Sequence, residues 1–186
     1  MKPEQRSRFR SVRRTLKDGR EVRLRFIARD DGDRMAAFYA QVPRESFRFY
    51  CPYDLTAEQA NKNASLADDP HRVVLVMEDM GDGAIGGYAW YRWRDDDAET
   101  STFGICICPS FQHVGAGRVL MTRLLTVAEQ VGPPVMTLTV QCANSGAVHL
   151  YRSMGFEVVR EQSRKPSHGF GPEPEYAMAL RLRAVE

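Results

Sequence analysis

The chain has 186 residues, 43% hydrophobic and 27% charged, with 26 Lys and Arg against 24 Asp and Glu for a net charge of +2. This length and apolar content fit one compact domain and argue against a small disulfide-stapled scaffold or disorder throughout. No run of about 18 apolar residues occurs, so no membrane span is expected.

Residues 1–25 carry ten basic and three acidic side chains, a balance of +7 that leaves −5 for the remainder. The near-neutral total is a basic leader on a mildly acidic body. Residues 1–20 lack the apolar run of a secretory signal. They read as a flexible, solvated leader, with a nucleic-acid or partner-binding arm as the alternative. The domain proper is read as 21–186.

After a Lys17-Asp18-Gly19 turn, Val22–Ala28 alternates apolar and basic residues and predicts a strand with one wet face. Met35, Ala36, Phe38 and Tyr39 predict a helix opening near Asp30 or Asp31. Arg44–Asp54 predicts a loop or broken helix, and Thr56 caps a second helix running to about Ala67. Val73–Glu78 and Ala84–Trp93 form a hairpin about Gly81-Asp82-Gly83. Glu99–Cys108 is a strand ended by Pro109, and Arg118–Val131 is a helix with a 3.6-residue apolar period stopped by Gly132-Pro133-Pro134. Strands at Val135–Val140, Phe156–Gln162 and Glu175–Arg183 and a helix at Asn144–Met154, capped by Asn144, complete the chain. The order β-α-α-β-β-β-α-β-α-β-β predicts a single α/β (α+β) domain whose mixed sheet has about seven strands flanked by about four helices.

Cys106 and Cys108 face the same side of their strand, and neither a second cysteine pair nor a histidine pair completes a zinc site with them. With Cys51 and Cys142 they read as reduced thiols in a cytoplasmic protein with no metal.

The chemistry concentrates in one strand–loop–helix unit, Phe103 to Met121. Glycines permit sharp turns and close approach of a ligand to backbone amides, and the free N–H groups at a helix start attract anions. Gln112–Arg118 therefore reads as a phosphate cradle, with Arg118 adding positive charge. A P-loop would need Lys-Ser/Thr after its glycines, where Arg118-Val119 stands. A dinucleotide fingerprint would need a small residue where Leu120 stands.

The run Gln112-His113-Val114-Gly115-Ala116-Gly117 resembles the Gln/Arg-x-x-Gly-x-Gly/Ala signature of the GCN5-related N-acetyltransferase (GNAT) superfamily. Asn144, Ala147, Leu150-Tyr151 and Gly155-Phe156 resemble its second motif, Asn-x-x-Ala-x-x-Leu-Tyr-x-x-x-Gly-Phe. One departure is His113, where many members have glycine. The resemblance implies acetyl transfer from acetyl-CoA to a primary amine of a small molecule, a protein lysine or a protein N-terminus, by direct attack through a tetrahedral intermediate. It implies a pyrophosphate held by Gln112, His113, Val114, Gly115, Ala116, Gly117 and Arg118. The pantetheine arm would pair with the backbone of Ile105 and Ile107, one amide of which would hold the thioester oxygen. Asn144 would cap its helix or contact the cofactor arm, and Tyr151 would be the general acid.

No equally clear base appears. Ser101 stands where many relatives carry glutamate, and Glu99, on the same strand face, is the candidate general base, acting through a water. His149 points away from Tyr151 along its helix. Phe47, Phe49, Tyr50 and Tyr53, with the Ser163–Glu175 loop, are the candidate acceptor wall, and Asp95-Asp96-Asp97 a candidate attractor for a cationic amine. Residues 18–27 and 47–50 also resemble the acetyltransferase part of bacterial protein-lysine acetyltransferases. The alternative is a non-catalytic, CoA-binding regulatory module of the same fold. Membrane and nucleic-acid partners are not expected, while a homodimer fits what is frequent among similar proteins.

Overall fold

The computed structural model describes residue 1, residues 3–49 and residues 52–183. Eight strands form one sheet: β1 (Val12–Thr15), β2 (Glu21–Phe26), β3 (Arg72–Asp79), β4 (Ile85–Arg92), β5 (Thr100–Ile107), β6 (Val135–Gln141), β7 (Glu157–Arg164) and β8 (Glu173–Arg181). Their order across the sheet is β1-β2-β3-β4-β5-β6-β8-β7, and every neighbouring pair is antiparallel except β5–β6. The helices are α1 (Pro3–Arg6), α2 (Gly32–Ala40), α3 (Ala57–Ser65), α4 (Ala116–Ala128) and α5 (Ser145–Ser153), with 3-10 turns at Arg44–Arg48 and Pro109–Phe111.

The two faces of the sheet are covered for reasons visible in β4. Its alternation sends Tyr88 one way, into an edge-on contact with Phe38 of α2 at 5.6 Å between ring centroids. It sends Tyr91 the other way, where its hydroxyl donates to the carbonyls of Val131 and Pro133 beyond the end of α4, both at 3.0 Å. Leu120, Met121, Leu124, Val127 and Ala128 form the buried stripe of α4. Thr56 caps α3 by accepting from the Gln59 amide at 3.1 Å, and Asn144 caps α5 by accepting from the Ala147 amide at 3.2 Å.

The leader differs from the flexible tail that its composition predicts. It contributes α1 and the edge strand β1, which adds the eighth strand to the sheet. Arg6 donates to the Ala67 carbonyl at 3.1 Å, pairs with Asp68 at 3.0 Å and lies over the Phe26 ring at 4.9 Å. These anchors are polar and cationic, and β1 reads VRRT with its side chains mostly in water, so no apolar period marks them in the sequence. Charged side chains on an edge strand also discourage pairing with another chain.

Beside it, a charged cluster joins β2, β3 and α2. Glu78, buried on β3, is held by Arg23 at 2.7 Å, Arg25 at 3.0 Å and Arg34 at 2.5 Å, and Asp31 by Arg25 at 2.6 Å. The Asp31 carboxylate also accepts from the Ala28 amide, so it turns back on the preceding loop rather than capping α2.

Candidate active site

The parallel neighbours β5 and β6 pair only from Thr100 to Thr102, opposite Val135 to Thr137, and then separate. A cleft of about 890 Å³ opens between them and continues past the start of α4 and along α5. The direction of the β5 backbone follows from one bond: the Cys108 amide donates to Gly86 of β4 at 2.9 Å. By strand alternation Cys106 and Gly104 also turn their amides and carbonyls toward β4, whereas Ile107, Ile105 and Phe103 turn theirs toward the departed β6. Gln112 Nε2 takes the Ile107 carbonyl at 3.0 Å, tying the loop to the strand end. The remaining groups of Ile105 and Ile107 present an open edge to which an extended ligand can add as a strand.

At the mouth of the cleft the loop enters α4. The first intrahelical bond runs from the Val119 amide to the Gly115 carbonyl at 3.1 Å, so the amides of Gly115, Ala116, Gly117 and Arg118 have no helical partner. They form an anion cradle at the positive end of the helix dipole. Gly115 has φ of 90°, and a Cβ on Gly117 would lie 3.3 Å from the Leu150 side chain. Glycine therefore serves both positions. His113 also adopts a left-handed conformation, φ 63°, which explains why glycine suits that position. Arg118 Nη2 donates to Ser153 Oγ at 2.7 Å, placing the guanidinium beside the cradle.

Tyr151 lies on the buried side of α5 and lines the cleft. Its ring packs edge-on against Phe103 at 5.9 Å and at a 51° tilt against Phe156 at 5.9 Å. Burial, reinforced by the nearby Cys106, pushes the phenol well above its ordinary range. It stays protonated at neutral pH and keeps a hydroxyl hydrogen to offer to a ligand in the cleft. Cys106 is itself pushed up to about 12, by burial first and by Cys108 second, and so remains a thiol rather than a nucleophile. Among the described residues no group of three or more potential metal ligands occurs, and Cys106, Cys108 and Cys142 are free thiols.

A model of the Acetyltransferase (GNAT) family matches residues 33–156, the stretch that holds the cradle, the open strand edge and Tyr151. The chain belongs to this family. The GNAT fold extends over nearly its whole length: the yncA protein from Salmonella typhimurium, solved with its cofactor acetyl-CoA, superposes with a TM-score of 0.73 at 22% identity, covering 89% of this chain and 96% of that one. Among characterised relatives, the L-amino acid N-acyltransferase MnaT of Escherichia coli is 34% identical over 91 residues, 47% of this chain and 52% of its own. The [ribosomal protein bS18]-alanine N-acetyltransferase of Salmonella typhimurium is 33% identical over 84 residues, 45% of this chain and 57% of its own. The chain thus spans about half the length of the curated relatives it matches, and their acceptors differ.

The GNAT geometry gathers some of the expected residues and leaves others out. Ile105, Ile107, Gln112, His113, Gly115, Ala116, Gly117, Arg118, Asn144 and Tyr151 all line the cleft. Val114 acts through its carbonyl, which accepts the Lys17 amide at 3.0 Å. Glu99 does not line the cleft. It is exposed beside the Asp97 turn at the start of β5, where its amide donates to Asp97 Oδ1 at 3.0 Å. Ser101 is buried and spends its hydroxyl on the Val135 carbonyl. His149 is exposed.

The aromatic set divides. Phe49 lines the cleft, Phe47 packs on His168, and Tyr53 joins a buried network with Tyr39, Tyr88 and Asn63; Tyr50, like Cys51, lies outside the described residues. The Asp95–Asp97 run stays in a solvated turn, with Asp95 on His71 and Asp96 on Arg94.

One contributor carried no motif in the sequence, and another lies in the Ser163–Glu175 segment expected as part of the acceptor wall. The first is the turn after β1, where Lys17 packs along Gly115 and Arg20 donates to the Ser110 carbonyl at 2.6 Å while lying 3.9 Å over the Phe111 ring. The second is the β7–β8 hairpin, which brings Arg164 and the buried carboxylate of Glu175 to the wall opposite the cradle.

Proposed function

We propose that the chain transfers the acetyl group of acetyl-CoA to a primary amine by direct attack. The observation that carries this reading is the open edge of β5 lying between the four free amides of the α4 cradle and the protonated hydroxyl of Tyr151. The cradle suits the pyrophosphate, and Arg118 and Lys17 supply local positive charge that the mildly acidic body lacks. The open edge suits the amide-bearing pantetheine arm, which would pair with Ile105 and Ile107 and deliver the thioester to the splay.

There the free amide of Ile105 or Ile107 would hold the thioester oxygen as it becomes an oxyanion. The amine nitrogen bonds to the carbonyl carbon, forming the tetrahedral intermediate, and the carbon–sulfur bond then breaks. Tyr151 Oη gives its proton to the departing thiolate and is reprotonated from solvent. An acceptor that arrives as an ammonium first gives one proton to Glu175, the buried carboxylate on the cleft wall, or to water beside it, which frees the lone pair that attacks. The nitrogen's second proton leaves to water as the intermediate collapses. Glu99 stands outside this arrangement. The names of relatives that acylate amino acids or a protein alanine support an amine acceptor.

The test is calorimetric titration with acetyl-CoA, followed by free-thiol release across amines, amino acids and lysine peptides. Binding with amine-dependent thiol release is the expected result. Binding without turnover on any amine would favour a CoA-sensing module, and absence of binding would overturn the reading.

A further inference from the structure

The β7–β8 hairpin brings to the cleft wall an arginine whose buried guanidinium edge has no acceptor among the described residues. Arg164 lies among the residues lining the cleft. Its Nη1 donates to the Arg48 carbonyl at 2.8 Å, which fixes the plane of the guanidinium. Its Nε and Nη2 are shielded from solvent and have no hydrogen-bond partner among the described residues. Glu173 Oε1 lies 3.7 Å from Nη2, close enough to balance charge but too far for a hydrogen bond, and both Glu173 oxygens accept from Arg48 Nε at 3.0 Å. Buried charged donors without an acceptor are costly, so a ligand group that can accept from this edge is favoured there. Nε and Nη2 form one edge of the guanidinium fork, the edge that a carboxylate accepts with both oxygens.

Glu175 stands diagonally across the hairpin. Arg164 is opposite Glu173 and Gln162 is opposite Glu175, so all four side chains share one face. Glu175 Oε1 accepts from Gln162 Nε2 at 2.7 Å, while Oε2 has no donor among the described residues. Diagonal neighbours of this kind have backbones about 7–8 Å apart, so their side chains can reach the two ends of one small zwitterion.

We infer that the acceptor is a small amine carrying its own carboxylate, an α-amino acid or close analogue, with Arg164 reading the carboxylate and Glu175 the ammonium. This rests on the acyl-transfer reading above and narrows it. A protein lysine brings no carboxylate fixed at this distance, and a protein N-terminus brings a neutral amide in its place.

The experiment uses the full chain, acetyl-CoA and matched trios: an L-amino acid, its carboxamide and its decarboxylated amine, over several side chains, with a free N-terminal peptide and a lysine peptide alongside. At least one acid is expected to turn over, with its amide and amine lower in kcat/KM by about 100-fold or more. Arg164→Gln is expected to lower kcat/KM for that acid by a similar factor, chiefly through KM. For the amine it should change the value less than about 3-fold, with acetyl-CoA affinity unchanged and Arg164→Lys intermediate. Amides, amines or peptides used as well as the acids would overturn the inference. So would an equal loss on every acceptor in Arg164→Gln, or acetyl-CoA binding with no acid turned over. Should Arg164→Gln not fold, the wild-type trios decide alone. Failure to bind acetyl-CoA would instead bring down the acyl-transfer reading beneath it.

Discussion

The Lys17 amide donates to the Val114 carbonyl at 3.0 Å, so the turn that follows the basic leader is bonded directly to the loop that leads into α4. Arg20 reinforces the junction through the Ser110 carbonyl and the Phe111 ring. Preorganising a loop removes an ordering cost from ligand binding. Arg20→Ala is expected to weaken acetyl-CoA binding by several-fold, with a small loss of thermal stability. Isothermal titration beside a melting curve checks both.

Within that loop the two left-handed residues predict opposite outcomes. Gly115→Ala places a Cβ at φ 90° and costs about 1–2 kcal/mol of local strain. Because the same residue opens the cradle, acetyl-CoA affinity should fall about tenfold or more. His113→Gly relieves strain at φ 63° and should leave stability equal or raise it by up to about 1 kcal/mol. Urea unfolding of the two variants gives the comparison.

Tyr151→Phe keeps the ring that packs on Phe103 and Phe156 and removes only the hydroxyl. Thermal stability and acetyl-CoA affinity are expected to stay near wild type while kcat falls about 100-fold, the scale of a lost general acid. Full turnover in this variant would remove Tyr151 from the chemistry.

Glu78 makes acid sensitivity a property of the fold rather than of the site. Burial alone would raise its carboxyl, but hydrogen bonds from Arg34, Arg23 and Arg25 outweigh that and hold it at about 2 against an ordinary 4.5. A carboxyl depressed in the folded state stabilises the protein fully above the ordinary value. Its contribution is lost as pH falls from about 4.5 toward 2. Glu78→Gln should destabilise the protein at neutral pH and flatten the pH dependence in that window. Denaturation midpoints measured from pH 7 to pH 2.5 test both.

The sequence by itself determined what local chemistry can encode. Gly115 and Gly117 after an apolar strand, the apolar stripe of α4, the Thr56 and Asn144 caps and the Leu150-Tyr151 pair each act within a few residues of themselves. Spacing therefore pointed to the element order from Val22 onward and to the cradle, and the resemblance of Asn144–Phe156 to the GNAT second motif pointed to Tyr151 as the candidate acid. Tertiary structure decided what depends on which distant segments meet. β1 entered the sheet through backbone pairing and polar anchors, which leave no apolar period to read. Glu99 fell outside the cleft because β5 stays paired to β6 at its start and opens only beyond Thr102. Arg164 and Glu175 reached the cleft because an antiparallel hairpin sets residues far apart in sequence side by side on one face. The opening +2 conceals the same division. Among the basic residues of the first 25, Arg6 holds α1 against Asp68, Arg20 ties its turn to the loop before α4, and Arg23 and Arg25 hold Glu78, while the cleft's own charge is set locally by Arg118, Arg164 and Glu175.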